Sequence, residues 1–109
     1  MSAYSVEYSD EALDDLRGIY EHIAFFRQSP DNARGQVNRI RKAIYGLDNF
    51  PNRYPLVHRE PWASMGVHRM NVDDYAVLFY VDEVKGEVSF ARVPYGGRDI
   101  DKFLEDELA

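Results

Sequence analysis

The period of the apolar positions changes along this chain, and the changes predict its elements. Residues 4–8, Tyr-Ser-Val-Glu-Tyr, alternate apolar and polar side chains, which is the two-residue period of a short strand. From Ser9 the period lengthens. Leu13, Leu16, Tyr20 and Ile23 recur at helical spacing, with Ile19 and Phe26 broadening the same face, and predict an amphipathic helix over about 10–27. Ser9 suits the N-cap, and Asp10 and Glu11 suit the positive end of the helix dipole. Ser29 and Pro30 repeat the start signal, with serine at the cap and proline at the first helical position. Ala33, Val37, Ile40, Ile44 and Leu47 then predict a second helix over about 30–48. The turn between the two is very short, so they form an αα-hairpin.

The helical pattern stops at Phe50-Pro-Asn-Arg-Tyr-Pro55, and the segment to Ser64 has no clear period. Strand patterns return at Gly66. Residues 66–72 form one strand, Asp73 and Asp74 turn the chain, and residues 75–81 are a near-continuous apolar run suited to a central strand. Residues 83–86 make a hairpin turn, residues 87–93 a last strand, and Ile100 to Leu108 a short amphipathic tail. The order β-α-α-β-β-β-(α) predicts an α+β fold, a helical hairpin packed on a small antiparallel sheet. No repeat or internal boundary interrupts it, so residues 1–109 read as a single domain.

Composition narrows the functional classes. With 45% hydrophobic and 14% aromatic residues the chain has the material for a real core. No apolar run approaches the roughly 20 residues that span a bilayer. The first residues have neither the basic nor the apolar region of a signal peptide, so a cytoplasmic location without membrane contact is expected. The absence of cysteine excludes disulfides and thiol chemistry. The three histidines, His22, His58 and His68, lack metal-ligand spacing. Glycine-rich phosphate loops and nucleophile elbows are absent. Glu7, Asp14, Asp15 and Glu21 read as helix and strand surface rather than a paired-carboxylate site. The net charge is −6, unevenly spread. Residues 31–60 carry six bases against three acids, whereas residues 82–109 carry eight acids against four bases. An acidic chain is a poor general binder of nucleic acid, though a local basic face can still serve.

Three phrases then carry a resemblance. They are Phe50-Pro-Asn-Arg-Tyr-Pro-Leu56, Tyr75-Ala-Val-Leu-Phe-Tyr-Val-Asp-Glu83 and Arg92-Val-Pro-Tyr-Gly-Gly-Arg-Asp99. With the order of elements they make the whole chain resemble the RelE/ParE superfamily of bacterial toxins from type II toxin–antitoxin systems. The resemblance implies a cognate antitoxin as partner. It also implies one of two targets. RelE-like members are ribosome-dependent endoribonucleases that cut mRNA without a metal or cofactor, and ParE-like members inhibit DNA gyrase. The endoribonuclease is the first expectation. Gyrase inhibition is the alternative, because Ala76 and Val77 stand where many RelE-like toxins carry a strand arginine. A weakly active relative that mainly binds its antitoxin is the third.

Candidate catalytic residues follow from the RNA-cleaving chemistry, in which cations neutralise the phosphorane and side chains move protons. Arg98 matches the family's Gly-x-Arg-Asp ending; it either clamps phosphate or pairs with Asp99, Asp101 or Glu105. Arg92 lies on the strand face expected to hold Val88 and Phe90, where it either binds phosphate or pairs with an acid. Arg69 alternates with Met70 and Val72 and should point to the open sheet face. His68 would then be on the core side, either structural or an acid/base. Tyr95 is the acid/base candidate by position, presented by Gly96 and Gly97, whose tolerance of positive φ would let the chain turn sharply. His58 and Arg59, in the proline-rich loop, read as a solvated pair.

Overall fold

The computed structural model describes residues 4–97 and 99–108. Strand β1 (Ser5–Tyr8) leads into helix α1 (Asp10–Glu21), a π-helical turn over His22–Phe26 and helix α2 (Pro30–Tyr45). Short 3₁₀ turns at Gly46–Asp48 and Pro51–Arg53 precede strands β2 (Val67–Val72), β3 (Tyr75–Asp82) and β4 (Glu87–Arg92), and helix α3 (Ile100–Leu108) closes the chain. None of the described helices is long and apolar enough to cross a membrane.

The sheet order is β1-β4-β3-β2. Strands β2, β3 and β4 pair antiparallel, as the hairpin signals require. Strand β1 departs from the expected antiparallel sheet by lying parallel to β4, Val6 opposite Val88 and Tyr8 opposite Phe90. Two helices intervene between β1 and the other strands, long enough to carry the chain across one face and back.

Alternation sends Met70, Val77, Phe79, Val88 and Phe90 to the face beneath the hairpin. There they pack against Ala12, Leu16, Ile19, Ile23, Ala33, Ile40 and Ile44. Each large apolar side chain removed from water in this way stabilises the fold by roughly 1.5–3 kcal/mol. The opposite face is not left open. Val67, Ala76 and Leu78 are covered by Ile100, Phe103 and Leu104 of α3 and by Val57 and Trp62 of the proline-rich loop. Arg59 of that loop pairs with Glu105 of α3.

Two expectations fail at the hairpin's tip and cap. The π turn inserts an extra residue and rotates the helical phase. Phe26, expected on the apolar face, is therefore 82% exposed, and Phe25 is 69% exposed. Ser29 makes no side-chain capping hydrogen bond to α2. Ser9 caps α1 as expected, accepting from the Ala12 N–H at 3.0 Å.

Strand β4 carries a bulge. Phe90 opposes Phe79 while Arg92 opposes Leu78, so Ala91 is the extra residue. The bulge moves Arg92 off the face of Val88 and Phe90, where strict alternation would put it, and onto the face of Leu78. It also takes the backbone of residues 91–93 out of the regular ladder, and the start of α1 supplies partners. The Ser9 hydroxyl donates to the Ala91 carbonyl at 2.8 Å. The Asp15 carboxylate accepts from the Val93 N–H at 2.8 Å and from Arg92 Nε and Nη2 at 2.8 and 3.1 Å. Asp15 is thus not the plain helix surface expected of it. Its side chain is 18% exposed and that of Arg92 17%, and the Phe103 ring lies 4.9 Å from the guanidinium carbon.

Across the sheet a second polar junction holds the β2–β3 turn. Asp73, at φ 52°, accepts from Arg39 Nε at 2.8 Å and from the buried Gln36 Nε2 at 3.0 Å. These bonds, Arg39 first and then Gln36, hold the Asp73 carboxyl below its ordinary pKa.

Two outcomes follow. Asp15→Ala removes the carboxylate that the nearly buried Arg92 guanidinium and the Val93 N–H share. It should cost about 3 kcal/mol in urea denaturation, and a loss below about 1 kcal/mol would remove the junction from the fold's supports. Asp73 has a depressed folded pKa, so its contribution is complete above the ordinary aspartate value and fades as pH falls through the folded value. The stability gap between wild type and Asp73→Asn should therefore be constant near neutrality and close only below about pH 4. Thermal melts from pH 7 to 2.5 check this; a gap that closes above pH 5 contradicts it.

Candidate functional site

The chain leaves β4 at Arg92 and runs back along β3. The Ala76 N–H donates to the Pro94 carbonyl at 2.9 Å, and the Gly96 N–H to the Asp74 carbonyl at 2.7 Å. These bonds seat Tyr95 beside Tyr75 in an isolated bridge, with ring centroids 6.1 Å apart and planes at 80°. Tyr75 is the less exposed of the pair, and burial pushes its phenol above the ordinary pKa. Tyr95 is 54% exposed and forms a ridge.

A cleft opens on each side of that ridge. One, of about 320 Å³, is lined by Arg69, Asn71, Asp73, Tyr95 and Gly97. Arg69 reaches into it from β2, donating from Nε to Asn71 Oδ1 at 2.8 Å and from Nη2 to the Gly96 carbonyl at 3.4 Å. The other cleft, of about 640 Å³, is lined by Asp15, His22, Arg27, Tyr75, Arg92 and Phe103. The structure therefore brings Arg69 and Tyr95 together around Gly96, on opposite ends of one loop-and-strand junction.

The remaining candidates lie elsewhere. Arg92 is held by Asp15 and covered by Phe103. His68 is 9% exposed, on the core side as expected. Its Nδ1 is 2.8 Å from the Tyr54 carbonyl, and its ring stacks on Phe79 at 5.1 Å. Arg98 lies outside the described residues. His58 is exposed, whereas Arg59 is engaged by Glu105 rather than free in solvent.

The role expected of the two glycines also changes. Among the described residues the glycines at positive φ are Gly66 and Gly86, not Gly96 or Gly97. What Gly96 and Gly97 supply is space. A Cβ on Gly96 would lie 3.2 Å from the Asp74 carbonyl oxygen, and one on Gly97 2.4 Å from the Tyr95 ring. Asp15 and Gln36 were invisible as site-forming residues, because their partners lie 77 and 37 positions away. On the part of the sheet face left around α3 the exposed strand residues are Ser5, Glu7, Asn71, Asp82 and Ser89, acidic or neutral, with half-buried Arg69 beside them.

Comparisons with known proteins agree with this architecture. No curated protein matches the chain. Among solved structures, the chromosomal ParDE toxin–antitoxin system of Pseudomonas aeruginosa contains a chain similar to this one. The TM-score is 0.70 at 21% identity, covering 87% of this chain and 98% of that one. A chain of the RelBE2 toxin–antitoxin complex of Mycobacterium tuberculosis matches at TM-score 0.63 and 19% identity, covering 85% and 98%. A mutant of the Escherichia coli RelE toxin in its free state matches at TM-score 0.63 and 12% identity, covering 93% and 92%. At these identities the likeness establishes the shared fold. Residues 6–100 match the family described as "ParE toxin of type II toxin-antitoxin system, parDE". On that match over most of its length, the chain belongs to the ParE toxin family of type II toxin–antitoxin systems, within the RelE/ParE superfamily.

Proposed function

We propose that the protein is an antitoxin-neutralised cytoplasmic toxin that stops growth by inhibiting DNA gyrase through protein contact, without cutting RNA. The observation that carries this reading is how the cations suited to phosphate are held. Arg92 is bound in two directions by Asp15 and stacked on Phe103, and His68 is buried against Phe79. Neither is disposed to follow a phosphorane or shuttle a proton to it. Apart from Arg69 and the bound Arg92, the accessible strand positions on the sheet face around α3 are acidic or neutral, and the net charge of −6 opposes the approach of a polyanion. The match to the ParE family supports the same choice.

Tyr95 and Arg69 are the residues we assign to the target contact. Tyrosine and arginine dominate interaction hot spots because each combines a large contact area with directional hydrogen bonding. For the antitoxin we assign the groove between α1 and α2, about 360 Å³, lined by Leu13, Leu16, Val37, Arg41 and Tyr45. Its apolar floor and basic edge suit an acidic amphipathic segment that folds as it binds.

A second reading, ribosome-dependent mRNA cleavage, is supported by one feature, the shared niche of Arg69 and Tyr95. There Arg69 would neutralise phosphate, and Tyr95 would move a proton.

Pulse labelling after induction of the protein alone separates the two. Gyrase inhibition predicts that thymidine incorporation falls before methionine incorporation. It also predicts that the purified protein blocks supercoiling by purified gyrase and yields no RNA products. Early collapse of methionine incorporation with cleaved mRNA on ribosomes overturns the gyrase reading in favour of the second.

A further inference from the structure

The two adjacent glycines of the site do different work. A Cβ at Gly96 would press on backbone, the Asp74 carbonyl oxygen at 3.2 Å and the Tyr75 carbonyl carbon at 3.5 Å. Those atoms belong to the turn that carries Tyr75 and cannot yield without moving the β2–β3 hairpin. The three atoms nearest a Cβ at Gly97 all belong to Tyr95, with Cε2 at 2.4 Å, Cζ at 2.8 Å and Oη at 3.0 Å. These are the far atoms of a side chain that rotates about two bonds. Gly97 is not at positive φ, so a left-handed backbone is not what calls for glycine at position 97. The Tyr95 ring requires it, because the ring lies where a Cβ would otherwise be.

We propose that Gly97 is a positioning residue for the toxin's target contact. Its missing side chain is the seat that fixes the Tyr95 ring, edge-on to Tyr75 and beside Arg69. An exposed tyrosine held this way presents its hydroxyl and ring face without the ordering cost that a freely rotating side chain bears on binding. The inference rests on the reading that Tyr95 touches the target, and it adds how Tyr95 is aimed. An alanine at 97 swings the ring away while leaving the backbone bonds of Pro94 and Gly96 intact. An alanine at 96 strains the turn itself.

Growth arrest is measured at graded induction for wild type, Tyr95→Ala, Gly97→Ala and the double variant. The same four proteins, labelled with 3-fluorotyrosine, are compared by fluorine NMR and thermal melting, with Tyr95→Phe assigning the Tyr95 resonance. Gly97→Ala should shift the Tyr95 resonance, and with it that of its ring neighbour Tyr75, leave the other tyrosines in place and melt at the wild-type temperature. It should also lower potency about tenfold, and the double variant should be no weaker than Tyr95→Ala, because one residue acts through the other. A Tyr95 resonance that does not move overturns the proposal. So does a Gly97→Ala protein that melts well below wild type, or a double variant weaker than Tyr95→Ala. A potent Gly97→Ala beside an impotent Tyr95→Ala overturns the role of Gly97 alone. A fully potent Tyr95→Ala overturns the target-contact reading itself, and the role of Gly97 with it.

Discussion

The carboxylate of Asp15 is the point on which the arrangement turns. One extra residue in β4 takes Arg92 and the backbone around it out of the regular ladder, and a half-buried N–H or guanidinium without a partner is costly. Asp15 answers both at once, and Ser9, the N-cap six residues earlier, answers the Ala91 carbonyl. The first two turns of α1 therefore fix the direction in which the chain leaves the sheet. Pro94, Tyr95 and the two glycines follow from that direction. Phe103 closes over the same guanidinium, so α3 is oriented by the same junction.

That junction also decides the chemistry available at the site. A superfamily fold hosts more than one activity, and the difference lies in which charged groups remain able to move toward a substrate. Here Arg92 is committed to the fold, and its commitment offsets a negative charge that would otherwise be buried. Arg69 retains its place at the rim of a cleft, next to an exposed tyrosine and among neutral and acidic neighbours. On the function proposed above, such a surface meets a folded protein, with its mixed charges, rather than a polyphosphate chain.

The two polar junctions, both at the end of the sheet where β2 turns into β3, use the same device. A carboxylate on one element takes donors from another far away in sequence, Asp15 from β4 and Asp73 from α2. The apolar core holds the helices against the sheet without specifying their slide or rotation, since burial is not directional. The hydrogen-bonded carboxylates supply that direction.

The period of the apolar residues determined the elements, because strand and helix repeat at distances that a single chain segment reveals. It placed all four strands and both hairpin helices, the tail helix, Arg69 on the face away from the hairpin and His68 toward the core. Local signals failed where one residue shifts the phase. The π turn sent Phe26 to solvent, and the Ala91 bulge sent Arg92 to the other face; neither insertion leaves a mark in composition. The parallel placement of β1, the pairing of Asp15 with Arg92 and the seat of Tyr95 on Gly97 were decided by tertiary structure alone. Each depends on groups that only the packed chain brings within hydrogen-bond or van der Waals reach, and alternation along one strand carries no information about a partner 77 residues away.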